Sequence, residues 1–485
     1  MTRARAGSAV PAVLRQWLRA APLLACLLFA AAQAASGASV WLDATDRPTQ
    51  SARDALRLLA DAAADGLDPR DYRAADLAGR AATLAAAGAP APPSPAFSSQ
   101  AAAARALEGD LDAAMRRYLH DLRFGRVDAR ALGFRIARGT EAPPDFAALL
   151  HTAAAEQRLA QAVADMRPRL PQYGRLRAAL ARYRALAADT TLGAVPATAT
   201  LKPGAAYDGA AALRRRLVAF GDLPADTAPS AGRYDTALVE GVRRFQSRHG
   251  LAADGVIGRT TWAALNVPIE QRVRQIQLAL ERLRWLPDPT ARPFVGINIP
   301  MFRLWAWDPA TPATAPIDMN VVVGRALNTQ TPVLGEEMRY LEFRPYWNVP
   351  RSIVRNEILP KLARDPAYLQ RNDMEIVRGG GDDARPVAAS GDNLELLRQG
   401  ALRVRQRPGP KNSLGLVKFI FPNDANVYLH GTPATQLFGR TRRDFSHGCV
   451  RVEDPVTLAQ WALRDQPRWT RERIEAAMAG SSPVR

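Results

Sequence analysis

The hydrophobic period of this chain changes once along its length, and that change constrains the fold more than any other feature. Up to residue 286 the apolar residues recur every three or four positions. Leu107, Leu111, Met115, Tyr118 and Leu122 form one such stripe, and Ile269, Val273, Ile276, Leu280 and Leu283 form another. Stripes of that period lie on one face of an α-helix. Past the Leu-Pro-Asp-Pro at 286–289 they stop. The runs "FVGINIPMFRLWAWDP", "MNVVVGR", "LVKFIFP" and "NVYLHG" are short, β-branched or aromatic, and bounded by Pro, Gly and Asn, as strands are. The reading is a multidomain α+β chain, helical first and mostly β last. A length of 485 residues leaves room for about two to four domains with ordinary cores.

Punctuation then sets the boundaries. Residues 40–204 read as a helical domain, broken by the Pro-rich "APAPPSPAF" at 89–97. His120 and His151 sit there among arginines and alanines and read as ordinary histidines. Residues 205–268 form a compact unit. Leu238, Val242 and Phe245 share a helical face that ends near Gly250, Asp254-Gly255 is a turn signal, and Thr260 or Thr261 is placed to cap a short helix carrying Trp262 and Leu265. A linking helix occupies 269–290. The β-region covers 291–470, with an insertion at about 348–407 that reads as helix ("RSIVRNEILPKLARDP") and then loop ("GGGDDARP"). An insertion beside a reactive site often serves as a lid. Residues 471–485 read as a C-terminal tail.

The N-terminus reads as an export signal. Residues 1–21 carry Arg3, Arg5, Arg15 and Arg19 and no acid, and "PLLACLLFAAAQA" follows, apolar but too short to span a bilayer. Ala32-Gln33-Ala34 places the cut after Ala34, with an uncleaved anchor as the alternative. The expected location is the periplasm, with no stable membrane span after cleavage. The formal net charge of +18 points to an anionic surface such as a cell-wall polymer, lipid head groups or nucleic acid. Arginine scattered by codon bias through alanine-rich helices accounts for it equally well.

Cysteine usage narrows the chemistry. The chain has two cysteines, Cys26 in the signal and Cys449 in "FSHGCVRVEDP", so the mature chain has no disulfide. An unpaired thiol outside the cytoplasm invites a chemical explanation. His430, in "YLHGTP", ends an expected strand nineteen residues before Cys449, which suits two neighbouring β-elements meeting at one end. A thiol with an ordinary pKa of ~8.5 is mostly protonated at neutral pH, and an adjacent imidazole can take its proton and return it to a leaving amine. Gly448 permits close approach to a carbonyl, and the Gly448 and Cys449 amides are placed to donate to an oxyanion. This reads as a cysteine acyl-transfer site. Two alternatives stay open on the residues alone: zinc held by His430, His447 and Cys449, and a buried cysteine packed beside a histidine.

Two resemblances add to this. The run Phe245-Gln246, Gly250-Leu251, Asp254-Gly255, Gly258, Thr261 and Ala264-Leu265 resembles the three-helix peptidoglycan-binding domain of cell-wall enzymes. "HGTP" followed by "SHGCVRV" resembles the L,D-transpeptidase signature. "TPVLGEEMRYLEFRPYWNVPRSIVRNEILPKLARDP" and "RQRPGPKNSLGLVKFIFP" are similar to the large Gram-negative members, so the resemblance covers roughly residues 45–470. The resemblance implies a helical scaffold, a wall-binding domain and a lidded catalytic domain that needs no cofactor or metal. It implies Cys449 as nucleophile, His430 as base and acid, the Gly431 carbonyl as orienter of His430, and the His447, Gly448 and Cys449 amides as oxyanion hole. Tyr428, Trp347, Ser446 and Arg451 fall with the substrate-binding residues. Arg451 stands where many smaller members have Asn, which leaves its role open between a substrate carboxylate and structural anchoring. The implied partners are peptidoglycan stem peptides as donor and acceptor, not nucleic acid; other cell-wall synthesis proteins are unknown. The implied reaction joins stems by a 3→3 link through a thioester. Water or a lipoprotein lysine as acceptor, and a silent wall-binding scaffold, are the alternatives.

Overall fold

The computed structural model describes residues 39–87, 95–136, 143–228, 232–288, 292–311, 314–327, 329–381 and 384–485. The expected signal and its cleavage site lie outside them.

The chain divides into two compact units. The first holds the described residues up to Gly125 together with those of 141–168. It is helical, with Gln50–Ala60, Ala74–Ala86, Pro95–Phe124, Phe146–Ala155 and Leu159–Asp165 as its main helices. The stripe Leu107, Leu111, Met115, Tyr118 and Leu122 is almost wholly buried in its core, as its period requires. Asp145 caps one helix by accepting from the Ala147 and Ala148 amides. The buried carboxylate of Asp65 is paired with Arg167 at 3.0 Å, which compensates its desolvation.

The second unit takes in residues 126–140 and 169–485. The helical domain read from the sequence as 40–204 therefore ends too late. Helix Pro171–Ala188 packs against Ile269–Arg284, where Tyr173, Leu180 and Leu280 form a shared core. The Arg284 guanidinium donates to the Tyr173 hydroxyl at 2.8 Å. Hydrophobic period alone could not show this, because Pro171–Ala188 carries only a weak apolar stripe.

The 205–268 segment has three helices, Ala210–Phe220, Thr236–Arg248 and Arg259–Leu265. Leu238, Val242 and Phe245 are buried as their spacing predicts. Gly250 follows the second helix with φ 65°, the left-handed conformation that suits glycine. The third helix corrects the capping expectation. Gly258 is its N-cap, so neither threonine caps it. Thr261 instead lies inside the helix, its hydroxyl 3.3 Å from the buried Gln246 amide.

The β-region is as expected in kind. Its strands, with one upstream excursion, are β1 (Arg135–Ile136), β2 (Phe294–Asn298), β3 (Arg303–Trp307), β4 (Ile317–Gly324), β5 (Leu334–Gly335), β6 (Tyr340–Phe343), β7 (Trp347–Asn348), β8 (Met374–Arg378), β9 (Arg385–Val387), β10 (Arg403–Gln406), β11 (Val417–Ile420), β12 (Leu429–His430), β13 (Asp444–Ser446) and β14 (Val450–Val452). Among the described residues the main sheet runs β2-β3-β4-β14-β12-β11-β6, with β13 beside β4. Val321, Val323, Phe343, Val417, Phe419, Val450 and Val452 line its core. The 471–485 stretch is not a separate tail. Its helix Arg471–Ala479 buries Ile474 and Met478 in that same core, and Val484 bridges to Phe343.

The insertion is more than helix and loop. It carries its own antiparallel sheet, β7-β10-β8-β9, and its own core around Ile353, Ile358, Ile376, Leu397 and Val404. Part of "GGGDDARP" becomes β9. The "RSIVRNEILPK" segment contains a π-helical turn at Val354–Ile358. Pro360 has no N–H with which to close an ordinary turn, and the Leu359 amide reaches back to the Val354 carbonyl.

Candidate active site

Strand β12 lies between β14, which runs parallel to it, and β11, which runs antiparallel. The register pairs His430 with Arg451 on one side and with Lys418 on the other. Lateral partners share a sheet face, and alternate residues of a strand return to the same face. Tyr428, His430, Lys418 and Arg451 therefore project together. Cys449, two residues before Arg451, joins them at the strand mouth. The opposite face is the apolar core.

The turn before β14 is tied by its own serine. Ser446 is buried, and its hydroxyl donates to the Cys449 carbonyl and accepts from the Gly448 amide at 3.1 Å. Ser446 thus ties the turn from within. The Gly448 amide is engaged too, which removes it from the expected trio of oxyanion donors. The His447 and Cys449 amides have no acceptor among the described residues. Gly448 has φ 121°, in a region that L side chains rarely adopt.

Cys449 is half-buried. Its thiol donates to the Asn426 carbonyl at 3.8 Å. Asn426 itself is left-handed, φ 53°, in a loop organised by Asn423, whose side-chain amide donates to the Phe421 and Val427 carbonyls at 2.7 Å. Burial pushes the Cys449 thiol above its ordinary pKa. The Tyr428 backbone amide and hydroxyl, then Lys418 and Arg451, pull against that rise. The Tyr428 hydroxyl stands between the sulfur and Trp347, and burial raises its own pKa. Tyr428 is therefore beside the thiol, and Trp347 is beside Tyr428. The Lys418 ammonium sits 4.0 Å from the centroid of the Tyr428 ring, an attractive placement for a cation, and burial lowers its pKa.

His430 is buried, and its ring stands edge-on to Tyr428 at 5.7 Å. Nδ1 donates to the Gly431 carbonyl at 2.5 Å, so Nε2 keeps the lone pair a base requires. That carbonyl is reachable because Gly415, φ 64°, packs its backbone against Gly431; a Cβ there would stand 2.6 Å from the Gly431 carbonyl carbon. Burial, then Arg451, drives the His430 pKa down to about 3, against the pull of the Gly431 and Leu414 carbonyls. The resting imidazole is neutral.

One expectation fails in detail. No hydrogen bond joins the thiol to the His430 ring among the described residues. The register explains this, since Cys449 lies beside Tyr428 and His430 beside Arg451. Strands ~4.8 Å apart with a rise of ~3.3 Å per residue separate the Cys449 and His430 positions by roughly 8 Å at the backbone, a span that two side-chain rotations can close. Catalytic hydrogen bonds are commonly long before substrate binds.

His447 points elsewhere. Its Nε2 lies 2.6 Å from a Glu357 carboxylate oxygen in the π-helical turn of the insertion. His430, His447 and Cys449 thus do not converge, and among the described residues no group of three His, Cys, Asp or Glu side chains is placed to hold a metal ion. Arg451 is half-buried, and its guanidinium forms no ion pair or hydrogen bond among the described residues; burial lowers its pKa while Cys449 raises it. Sequence reasoning missed Lys418, Asn426 and Glu357. Only Lys418 left a signal, as a lone charge inside the apolar "LVKFIF".

Comparison with known proteins agrees with this architecture. Residues 292–474 match the L,D-transpeptidase catalytic domain. Residues 207–265 match a family described as "Putative peptidoglycan binding domain", and residues 33–180 match a scaffold domain. The chain thus carries a region similar to the L,D-transpeptidase catalytic domain, together with regions similar to a peptidoglycan-binding domain and a scaffold domain. A protein of Haemophilus influenzae described as "Putative L,D-transpeptidase" is 31% identical over 216 residues, which cover 44% of this chain and 42% of that protein. The chain spans less than half the length of that relative.

Proposed function

We propose that this protein is a murein L,D-transpeptidase acting outside the cytoplasm, in the periplasm, and forming 3→3 cross-links. The observation that carries the reading is the half-buried Cys449 at the strand mouth, facing Tyr428, Lys418 and Arg451, with a neutral His430 held by Gly431 on the same face. The thiol passes its proton to His430 Nε2 as sulfur bonds to the carbonyl carbon of the third stem residue. The oxyanion takes hydrogen bonds from the His447 and Cys449 amides. The carbon–nitrogen bond to the terminal D-alanine then breaks, and His430 returns the proton to the leaving amine. The amine of a second stem attacks the thioester, loses a proton to His430, and restores the thiol. Arg451 and Lys418 supply positive charge beside the sulfur and suit the carboxylates of a stem peptide. No cofactor enters this scheme.

The matched peptidoglycan-binding domain supports a wall substrate and, with it, a site of action outside the cytoplasm. Water or a lipoprotein lysine as acceptor would use the same acyl-enzyme. Incubating the mature protein with disaccharide-tetrapeptide and weighing the products separates these fates. The proposal expects cross-linked dimers with one D-alanine lost. Exclusive tripeptide would make the enzyme a carboxypeptidase, and unchanged substrate would remove the enzymatic reading.

A further inference from the structure

The loop between β4 and β5 grips the nucleophile turn from behind. The Thr331 hydroxyl accepts from the Gly324 amide at 2.8 Å and donates to the Gly448 carbonyl at 2.7 Å. The Thr329 hydroxyl donates to the Ser446 carbonyl at 3.2 Å, and the Arg325 amide donates to that same carbonyl at 3.1 Å. Gly324 makes the grip possible. A Cβ on it would fall 2.0 Å from the Thr329 carbonyl oxygen and 2.7 Å from the Thr331 nitrogen, so any side chain there would push the loop off the turn.

A trans peptide holds its C=O and its following N–H in one plane, pointing in opposite directions. Fixing the Gly448 carbonyl against Thr331 therefore fixes the Cys449 N–H pointing away from the loop. Fixing the Ser446 carbonyl against Thr329 and Arg325 does the same for the His447 N–H. These are the two amides of the turn with no acceptor among the described residues, while the amide between them is held by Ser446.

We propose that Thr331, seconded by Thr329, is a positioning residue for acyl transfer, its hydroxyl orienting the backbone amides that receive the oxyanion. The inference rests on the acyl-transfer reading above and extends it to residues outside the signature motif. Thr331 matters more than Thr329, because among the described residues it alone holds its carbonyl, whereas the Ser446 carbonyl keeps the Arg325 amide when Thr329 is lost. A hydroxyl has one proton. Since Thr331 already accepts from Gly324, its proton goes to Gly448, and serine can replace it while valine cannot.

The test compares wild type with Thr331→Val, Thr331→Ser and Thr329→Val, using disaccharide-tetrapeptide for kcat and KM and iodoacetamide for the reactivity of Cys449. Removing an oxyanion donor outright costs about 10²–10³ in kcat, and misdirecting one should cost less. Thr331→Val is expected to lower kcat about tenfold to a hundredfold while leaving KM and the alkylation rate near wild type. Thr331→Ser should recover most of the loss, and Thr329→Val should fall between. Wild-type kcat in Thr331→Val, or a loss shared equally by alkylation and by Thr331→Ser, overturns the inference alone. A wild-type chain that leaves the tetrapeptide untouched overturns the underlying reading, and the inference with it.

Discussion

The two larger sheets of the second unit are built by one rule and used in two ways. Both alternate apolar residues toward a core. Val417, Phe419, Leu429 and Val450 do so in the main sheet, and Ile376 and Val404 in the sheet of the insertion. They differ on the other face. In the main sheet, β11, β12 and β14 gather Lys418, Tyr428, His430 and Arg451 beside one thiol, and burial moves every pKa there: down for the two cations and the imidazole, up for the thiol and the phenol. Among its described residues the insertion gathers no such group. Its Arg405–Glu375 pair is neutralised within the sheet, and it reaches the turn through Glu357 alone among these acids. Desolvation is thus concentrated around the thiol and imidazole of the main sheet, while the insertion meets the turn through the Glu357–His447 contact.

The largest effect that sharpens this contrast is catalytic. His430→Gln keeps a side chain of similar reach but no general base, and kcat/KM should drop by about 10²–10⁴. The corresponding change in the insertion, Glu357→Gln, should leave kcat/KM within a few-fold. Steady-state assays on both variants decide whether the division of labour holds.

Stability follows. Phe419 is fully buried in the main sheet, and Phe419→Ala should cost about 3–5 kcal/mol and destabilise the site with it. Leu397→Ala in the insertion should cost about 2–5 kcal/mol, yet leave hydrogen exchange in β11, β12 and β14 near wild type. Spread of that loss into the main sheet would show that the two cores are one.

A smaller effect concerns pH. The folded pKa of His430 is depressed to about 3, whereas an unfolded histidine titrates near ~6.5. Between those values the unfolded chain binds a proton that the folded chain refuses. The stability is complete above ~6.5 and falls on acidification by about 1.4 kcal/mol per pH unit. Urea denaturation between pH 7 and 4 should show this slope, and His430→Asn should flatten it. The smallest effect belongs to Glu357. Its half-exposed contact with His447 is worth roughly 0.2–1 kcal/mol, so Glu357→Gln should only modestly raise exchange across residues 351–364.

Much of this was legible in the sequence, for physical reasons. The stripe from Leu107 to Leu122 and the strand runs after 290 advertise their periods, and a lone thiol in "SHGC" advertises its chemistry. The insertion's sheet did not show, because β8 and β10 are short and carry charges such as Glu375 and Arg405 that pair only after folding. Helix Pro171–Ala188 carries no mark of its partner, Ile269–Arg284, some eighty residues away. At the site, the sequence offered Cys449, His430, Gly431, Tyr428 and Trp347 as candidates. The roles of Asn426, Lys418 and Thr331 depend on backbone direction and register, which local patterns do not encode. The same limit hid the Gly448 amide's bond to the Ser446 hydroxyl.

The central claim is that the resting nucleophile is a neutral thiol beside a neutral imidazole, with charge created only as acyl transfer proceeds. Alkylation of Cys449 by iodoacetamide from pH 5 to 10, read by mass on its peptide, tests this most directly. The account predicts a rate that climbs steadily through neutrality and levels off only above the ordinary thiol pKa of ~8.5. A plateau already reached by pH 6, the mark of a thiolate standing against an imidazolium, would contradict it.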